Sequence, residues 1–160
     1  QRITFEDSLT RLGEGGDDMA RDIKKVDAKG RFFVPSKVKP LLGTEVVVTN
    51  SLDKGYLCVY TASDFEEIKE QLSNLNSVKQ GVRVMKRVII GEAVETNIDS
   101  QGRLTVTPEL WDRIGANKGD EICVFDVGNK LEICTRAFYD NQELDLSALE
   151  IPEDCIVSGL

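Results

Sequence analysis

The sequence predicts a mainly β member of the α+β class, built from two tandem repeats that pack against each other. The first observation is that the segment 27–31, DAKGR, returns 72 residues later as 99–103, DSQGR. The second is that each copy is followed by two β-rich runs with turn formers between them. A repeated unit of this size usually buries its apolar face against a partner copy. We therefore expect two halves, each made of a turn, a strand, a helix and a hairpin.

Each copy opens with an Asp-x-x-Gly turn that is followed by an arginine. An Asp side chain can accept hydrogen bonds from backbone N–H groups just downstream, and a glycine can take a positive φ without steric cost. We assign Asp27, Gly30, Asp99 and Gly102 to these structural turns. The apolar alternation after each arginine is typical of a short strand.

A helix is expected after the short strand in each copy. In the second copy Thr107 is a good N-cap, Pro108 suits the first helical position and Gly115 can provide the C-terminal cap. In the first copy Ser36 is the expected cap, but Pro40 removes a backbone donor. We therefore expect only two helical turns in the first copy.

The rest of each half is predicted to be a β-hairpin, with strands at 45–49 and 56–60 and again at 121–125 and 130–134. Between the halves, capping-box patterns that begin at Ser63 and Ser77 predict two paired helices. The predicted organisation is a first repeat at 19–62, a helical-hairpin linker at 63–92, a second repeat at 93–139 and an acidic tail at 140–160.

The two ends of the chain carry most of its negative charge. Residues 1–18 show little periodicity, and their Gly-rich acidic end could be a translated ribosome-binding sequence before Met19. We expect 1–18 to be a disordered or non-native leader. Residues 140–160 carry six acidic groups and no basic one, and a short helix is predicted just before them at 137–139.

The formal charge of −8 argues at first sight against a nucleic-acid partner. The two ends together contribute −9, however, so the middle of the chain is close to neutral. Residues 19–43 hold seven basic groups against two acidic ones, a local net charge of +5. This distribution predicts a basic patch centred on the first turn, of the kind that binds phosphate groups.

The sequence carries no legible signal for catalysis or for a metal site. It has no histidine, its four cysteines show no C-x-x-C spacing, and it has no glycine-rich phosphate-binding motif. We interpret Cys58, Cys123 and Cys134, which lie in strand-like runs, as small core residues. No apolar run reaches the roughly 20 residues of a membrane span. We predict a cytoplasmic protein that is not an enzyme and has no cofactor.

The residues alone leave the role of the motif arginines open. Arg31 and Arg103 can stabilise the fold by pairing with the turn aspartates, or they can project to phosphates and base edges. The basic residues of the linker are also ambiguous, although a solvated helix face is their simpler interpretation. These linker residues are Lys79, Arg83, Lys86 and Arg87.

The chain resembles the MraZ family of bacterial regulators, within the wider AbrB/MazE-like group. The repeated Asp-x-x-Gly-Arg motif at this spacing carries most of the resemblance, together with Gly43 and the segment 87–93, RVIIGEA. Two further family-like segments are 57–60 and 128–133. The resemblance covers roughly residues 19–140.

The resemblance implies a double-split, swapped-hairpin-like β-barrel capped by short helices and assembled into a ring-shaped homo-oligomer. It implies a nucleoid-associated transcriptional regulator, expected to be a repressor, that binds short direct repeats in double-stranded DNA upstream of the division and cell-wall gene cluster. The DNA-binding positions carry over to Lys29, Arg31 and Arg103, with Lys25 and Gln101 beside them. Gln101 departs from the pattern because the first copy has Lys29 at this position.

Two other functional classes stay open at this point. One is an antitoxin-like DNA-binding module, in which the acidic and apolar segment 137–160 neutralises a toxin. The other is a structural ring or interaction protein without a role at DNA, in which the basic face is buried between subunits.

Overall fold

A computed structural model describes residues 21–159 of the protein. The predicted leader at 1–18 lies outside the described residues, as does Met19, which the sequence suggests as the natural start of translation. The first half contains β1 (Arg21–Lys25), β2 (Arg31–Phe33), α1 (Lys39–Leu42), β3 (Glu45–Asn50) and β4 (Leu57–Thr61). The linker contains α2 (Ala62–Ser73), α3 (Gln80–Lys86) and a π-helical turn (Arg87–Gly91). The second half contains β5 (Val94–Asn97), β6 (Arg103–Thr105), α4 (Pro108–Arg113), β7 (Glu121–Asp126), β8 (Leu131–Thr135) and α5 (Arg136–Asp140), and is followed by two 3₁₀ turns (Leu146–Ala148 and Glu153–Cys155).

The strands form a six-stranded antiparallel sheet and a separate two-stranded ribbon. The order in the sheet is β1-β7-β8-β4-β3-β5, and the ribbon consists of β2 and β6. Each half gives its first strand to the hairpin of the other half, because β1 pairs with β7 and β5 pairs with β3. The chain is therefore α+β and mainly β, as predicted.

The expected β-barrel is not closed among the described strands. β1 and β5 lie at opposite edges of the sheet and do not pair with each other. Each of them instead runs through its Asp-x-x-Gly turn into β2 or β6, and those two strands pair together as the ribbon. The sheet consequently stays open.

The second copy confirms the predicted signals at the ends of its helix. Thr107 is the N-cap of α4 and Pro108 is its first residue. Gly115 has a φ of 68°, and the N–H of Ala116 donates to the carbonyl of Trp111 at 3.0 Å. These contacts cap the last carbonyls of α4 as the sequence predicted.

The first copy does not follow the prediction. α1 begins at Lys39 with Val38 as its N-cap, so the prediction that Ser36 caps a two-turn helix was wrong. α1 has only four residues, with Pro40 in its first turn. Because proline is tolerated only in the first turn of a helix, the helix starts at Lys39, next to Pro40, rather than directly after Ser36.

The predicted starts of both linker helices were also wrong. The N-cap of α2 is Thr61, whose hydroxyl accepts from the N–H of Asp64 at 3.1 Å, so Ser63 already lies inside the helix. α3 starts three residues after Ser77, with Lys79 as its N-cap. Thr61 is also the last residue of β4, so the chain passes directly from the sheet into α2.

Two apolar clusters lie on opposite faces of the sheet. The larger one fills the space between the sheet, the ribbon and α4, and includes Phe32, Leu104 and Trp111. The smaller one packs the linker helices on the other face, around Phe65 and Ile89. The ribbon and the linker are thus separated by the sheet.

The predicted core cysteines are buried inside strands. Cys58 lies in β4, Cys123 in β7 and Cys134 in β8, and burial raises the pKa of all three thiols. No helix within residues 21–159 is both long and apolar enough to cross a membrane.

Candidate nucleic-acid interface

The first Asp-x-x-Gly turn is held together by the carboxylate of Asp27. Its Oδ1 accepts from the backbone N–H of Lys29 at 2.9 Å and from that of Arg31 at 2.8 Å. The N–H of Gly30 donates to the Asp27 carbonyl at 3.1 Å, and Gly30 has a φ of 76°, a conformation that favours glycine. The carboxylate therefore satisfies two backbone donors where the chain enters β2.

The second turn repeats this geometry around Asp99. Its Oδ1 accepts from the N–H of Gln101 at 3.0 Å and from that of Arg103 at 2.8 Å. Gly102 has a φ of 84°, and its N–H donates to the Asp99 carbonyl at 2.9 Å. The two turns thus have the same backbone structure although they share only three of five residues.

Each turn aspartate also holds its arginine. Asp27 Oδ2 accepts from Arg31 Nε at 2.7 Å, and Asp99 Oδ2 accepts from Arg103 Nε at 2.8 Å. The hydrogen bond from the backbone N–H of the arginine is the main reason why the pKa of each aspartate lies below its ordinary value of 3.8. Both carboxylates are therefore charged at neutral pH.

The ion pair uses only one of the three guanidinium nitrogens of each arginine. Within residues 21–159, the terminal nitrogens of Arg31 and Arg103 have no hydrogen-bond or ion-pair partner. Both side chains are 23% exposed. The aspartate thus fixes the direction of the side chain while the end of the guanidinium stays available, so the two roles left open by the sequence are compatible.

The ribbon places both arginines on one face. In its register Arg31 lies opposite Thr105 and Phe33 lies opposite Arg103, while the middle pair, Phe32 and Leu104, is buried in the core. Because side chains alternate along a strand, the two outer pairs point together away from the core. The arginines form a diagonal pair, for which backbone separations of about 7–8 Å are usual. Phe33, which lies opposite Arg103 and two residues after Arg31, is 54% exposed on the same face.

Each turn is also bonded to the strand end of the other copy. The N–H of Val34 donates to the carbonyl of Gly102 at 2.9 Å, and the N–H of Val106 donates to that of Gly30 at 3.1 Å. These reciprocal bonds follow the same 72-residue offset as the motif itself. They fix the distance and orientation between the two turns.

Two comparisons with known proteins identify the family of this chain. The family model described as "MraZ protein, putative antitoxin-like" matches residues 89–155, which include the second turn. The transcriptional regulator MraZ of Pediococcus pentosaceus is 34% identical over 137 residues, covering 84% of this chain and 94% of the relative. The chain belongs to the MraZ family.

One position of this MraZ-family chain differs strongly between the two copies, and sequence reasoning overlooked it. Trp111 donates from Nε1 to the carbonyl of Gly30 at 3.0 Å and packs edge-on against Phe32, with ring centroids 6.1 Å apart. The residue 72 positions earlier is Lys39, and its side chain lies across Gly102 in the same way. Extending the alignment of the two copies into their helices would have paired these residues.

The remaining predicted DNA-binding residues of the MraZ-family chain fall into two groups. Lys29 and Gln101 are exposed at corresponding positions of the two turns, beside the ribbon. Lys25 lies at the end of β1, opposite Glu121 in the sheet, and so outside the ribbon.

Two of the four linker cations have local hydrogen-bond partners. Arg83 Nη1 donates to the carbonyls of Ser77 and Val78, at 2.9 and 2.7 Å. Lys86 Nζ donates to the carbonyl of Leu75 at 2.9 Å and to the hydroxyl of Ser77 at 2.6 Å. These bonds close the loop between α2 and α3, on the opposite side of the sheet from the ribbon.

Proposed function

We propose that this chain is a transcriptional regulator that binds double-stranded DNA through the outer face of the β2-β6 ribbon and has no enzymatic activity. The observation that carries the proposal is the pair of arginines, each held at Nε by its own aspartate, on one outward face. A two-stranded ribbon fits the major groove, which is about 12 Å wide. The name of the Pediococcus relative supports the same function, and we place the protein in the cytoplasm, at the nucleoid.

In this proposal the five candidate residues make different kinds of contact with DNA. Arg31 and Arg103 present their terminal nitrogens to guanine edges or phosphates, and Gln101 can hydrogen-bond to either. Lys29 contacts a phosphate from the first turn, and Lys25 adds a peripheral positive charge. Because the aspartates already restrict both arginine side chains, less conformational entropy is lost when DNA binds.

We further propose that the protein is a repressor, and that it works as a ring-shaped homo-oligomer on short direct repeats upstream of the division and cell-wall gene cluster. One subunit carries a formal charge of −8 and presents few cations, so it would bind DNA weakly. Linking several ribbons in a ring makes the later contacts intramolecular, which can raise avidity by about 10²–10⁴.

The decisive experiment is binding to labelled DNA from upstream of the gene itself, against scrambled DNA, over a salt series. We expect specific binding that weakens steeply with salt, because phosphate contacts release counterions. Arg31→Ala is expected to abolish specific binding and to leave the native mass unchanged. The matched control is Lys69→Ala, on α2 at the opposite face of the sheet, which should bind like the original protein. Retained specific affinity in Arg31→Ala would contradict the proposal.

A second candidate function is an antitoxin-like module, favoured by the exposed apolar side chains of the acidic C-terminal segment. Leu146 and Ile156 are both 76% exposed there, and Ile151 is 63% exposed. Co-purification of a small toxin that is lost when residues 141–160 are deleted would support this function. If the deletion leaves DNA binding unchanged and no toxin co-purifies with the full chain, this function is excluded.

A further inference from the structure

We propose that Lys39 supplies the phosphate-binding cation of the second turn, where Gln101 stands in place of a lysine. The inference rests on the proposed DNA-binding function and adds a binding residue that comes from the other half of the chain. Lys39 belongs to α1 of the first repeat, 60 residues before the motif that it would complete.

The position of the Lys39 side chain is the first argument. A methyl group built on Gly102 would lie 2.6 Å from Nζ of Lys39, 3.1 Å from Cε and 3.3 Å from Cδ. The end of the side chain therefore lies lengthwise against the backbone of Gly102. Since Gly102 separates Gln101 from Arg103, the ammonium group is at the end of the ribbon where the second arginine projects.

The availability of this charge is the second argument. Within residues 21–159, the ammonium group of Lys39 has no ion pair or hydrogen bond, and the nearby carboxylate of Asp99 is already engaged by Arg103. The half-buried aliphatic stem packs on the turn and keeps the ammonium group in place. Such a cation can bind an anion without first breaking an internal pair.

The exchange between the two copies is the third argument. At the first turn, Lys29 provides the cation, and the position across the ribbon is filled by Trp111. At the second turn, Gln101 replaces the lysine of the motif and Lys39 replaces the tryptophan. Each end of the ribbon therefore has one lysine and one arginine, although the lysine comes from a different element.

The test is a salt series of DNA binding for Lys39→Gln. Losing one phosphate contact should make the fall of log affinity with log salt less steep, by about one unit of slope for each engaged subunit. The loss should be the same on specific and scrambled DNA, because phosphates carry no sequence information. Adding Gln101→Lys to Lys39→Gln should restore the slope, since it rebuilds the first-turn pattern at the second turn. Lys69→Gln is the matched control and should leave the slope unchanged.

Two comparisons separate this proposal from its alternatives. Lys39→Arg keeps the charge and should keep the slope, so a loss in this variant would show that Lys39 acts through packing and would overturn the proposal. An unchanged slope in Lys39→Gln, together with lost binding in Arg31→Ala, would overturn it while leaving the proposed function intact. If Arg31→Ala also binds normally, the proposed function itself fails.

Discussion

The two Asp-x-x-Gly-Arg turns have the same backbone structure but are supported by different side chains. The first turn is covered by Trp111, which hydrogen-bonds to its Gly30 carbonyl and packs on the core residue Phe32. The second turn is crossed by Lys39, whose ammonium group has no internal partner in the described part of the chain. The comparison suggests that the first turn contributes more to stability and the second keeps a charge available.

The strand end that leads into the first turn makes one more hydrogen bond to the loop before the partner hairpin, whereas the strand end that leads into the second turn makes a β-bridge between Ile98 and Leu104. The N–H of Val26 donates to the carbonyl of Asp120 at 3.0 Å, and the Val26 carbonyl accepts from Gly119 at 2.7 Å. At the equivalent place in the other half, the N–H of Ile98 donates to Thr44 at 2.8 Å. The additional bond uses Gly119, which lies in the longer loop that connects α4 to β7.

Removing the side chain that covers each turn should reveal the largest difference. We expect Trp111→Ala to lower the free energy of unfolding by about 3–5 kcal/mol, the usual cost of deleting a buried aromatic residue. Lys39→Ala should change it by no more than about 0.5 kcal/mol, as is typical of a surface position. Urea denaturation followed by circular dichroism measures both. Similar losses of unfolding free energy in the two variants would show that Trp111 does not stabilise its turn more than Lys39 does.

Replacing each turn glycine by alanine should again destabilise the first turn more than the second, but the difference in stability between the two variants should be smaller. Both glycines have positive φ, so alanine costs about 1–2 kcal/mol at either position. At Gly30 the new Cβ would also lie 3.1 Å from the backbone carbonyl oxygen of Val106, which cannot easily move. At Gly102 it meets the flexible end of Lys39 instead. Gly30→Ala should therefore be the less stable variant in thermal unfolding.

Gly81 provides the control for the glycine comparison. It lies in α3, and a methyl group there would meet nothing within 4 Å. Gly81→Ala should stabilise the protein by about 0.5–1 kcal/mol, since alanine is the better helix former. If all three variants lost stability equally, the turn geometry would not be the cause.

The smallest difference is expected in acid, where the two turns should behave alike. The hydrogen bonds from Arg31 and Arg103 lower the pKa of Asp27 and Asp99 below 3.8 in the folded protein. A lowered pKa stabilises the fold above the ordinary value, and this contribution is lost as the pH falls through the folded value. Carboxyl carbon chemical shifts over an acid titration should show both groups titrating below 3.8. A normal pKa at only one of them would break the equivalence of the turns.

The sequence alone predicts the parts of this protein that depend on short-range contacts. The Asp-x-x-Gly turn needs only hydrogen bonds within four residues, and both copies contain them. Both hairpins and the capped helix α4 follow from local turn formers, proline and glycine in the same way. The family resemblance rested on these local motifs, and the comparisons confirm it.

Predictions from local signals failed where tertiary contacts decide where an element begins. The serine at 63 has a good capping-box pattern, but β4 continues to Thr61 because this residue pairs with Val46 of β3. The chain then enters α2 at once, with Thr61 as the cap. Strand pairing with β3 thus determined where the helix starts. The sequence of the linker alone contains no information about this pairing.

The candidate binding face was decided by tertiary structure as well. The sequence identified both arginines, but the pairing of β2 with β6 brings residues 72 positions apart onto one face. The exchange of β1 and β5 and the contact of Lys39 with Gly102 likewise join segments from different halves. Such contacts depend on how the two complete halves pack. The residues that meet are far apart in the sequence, so no local pattern indicates that they will be in contact.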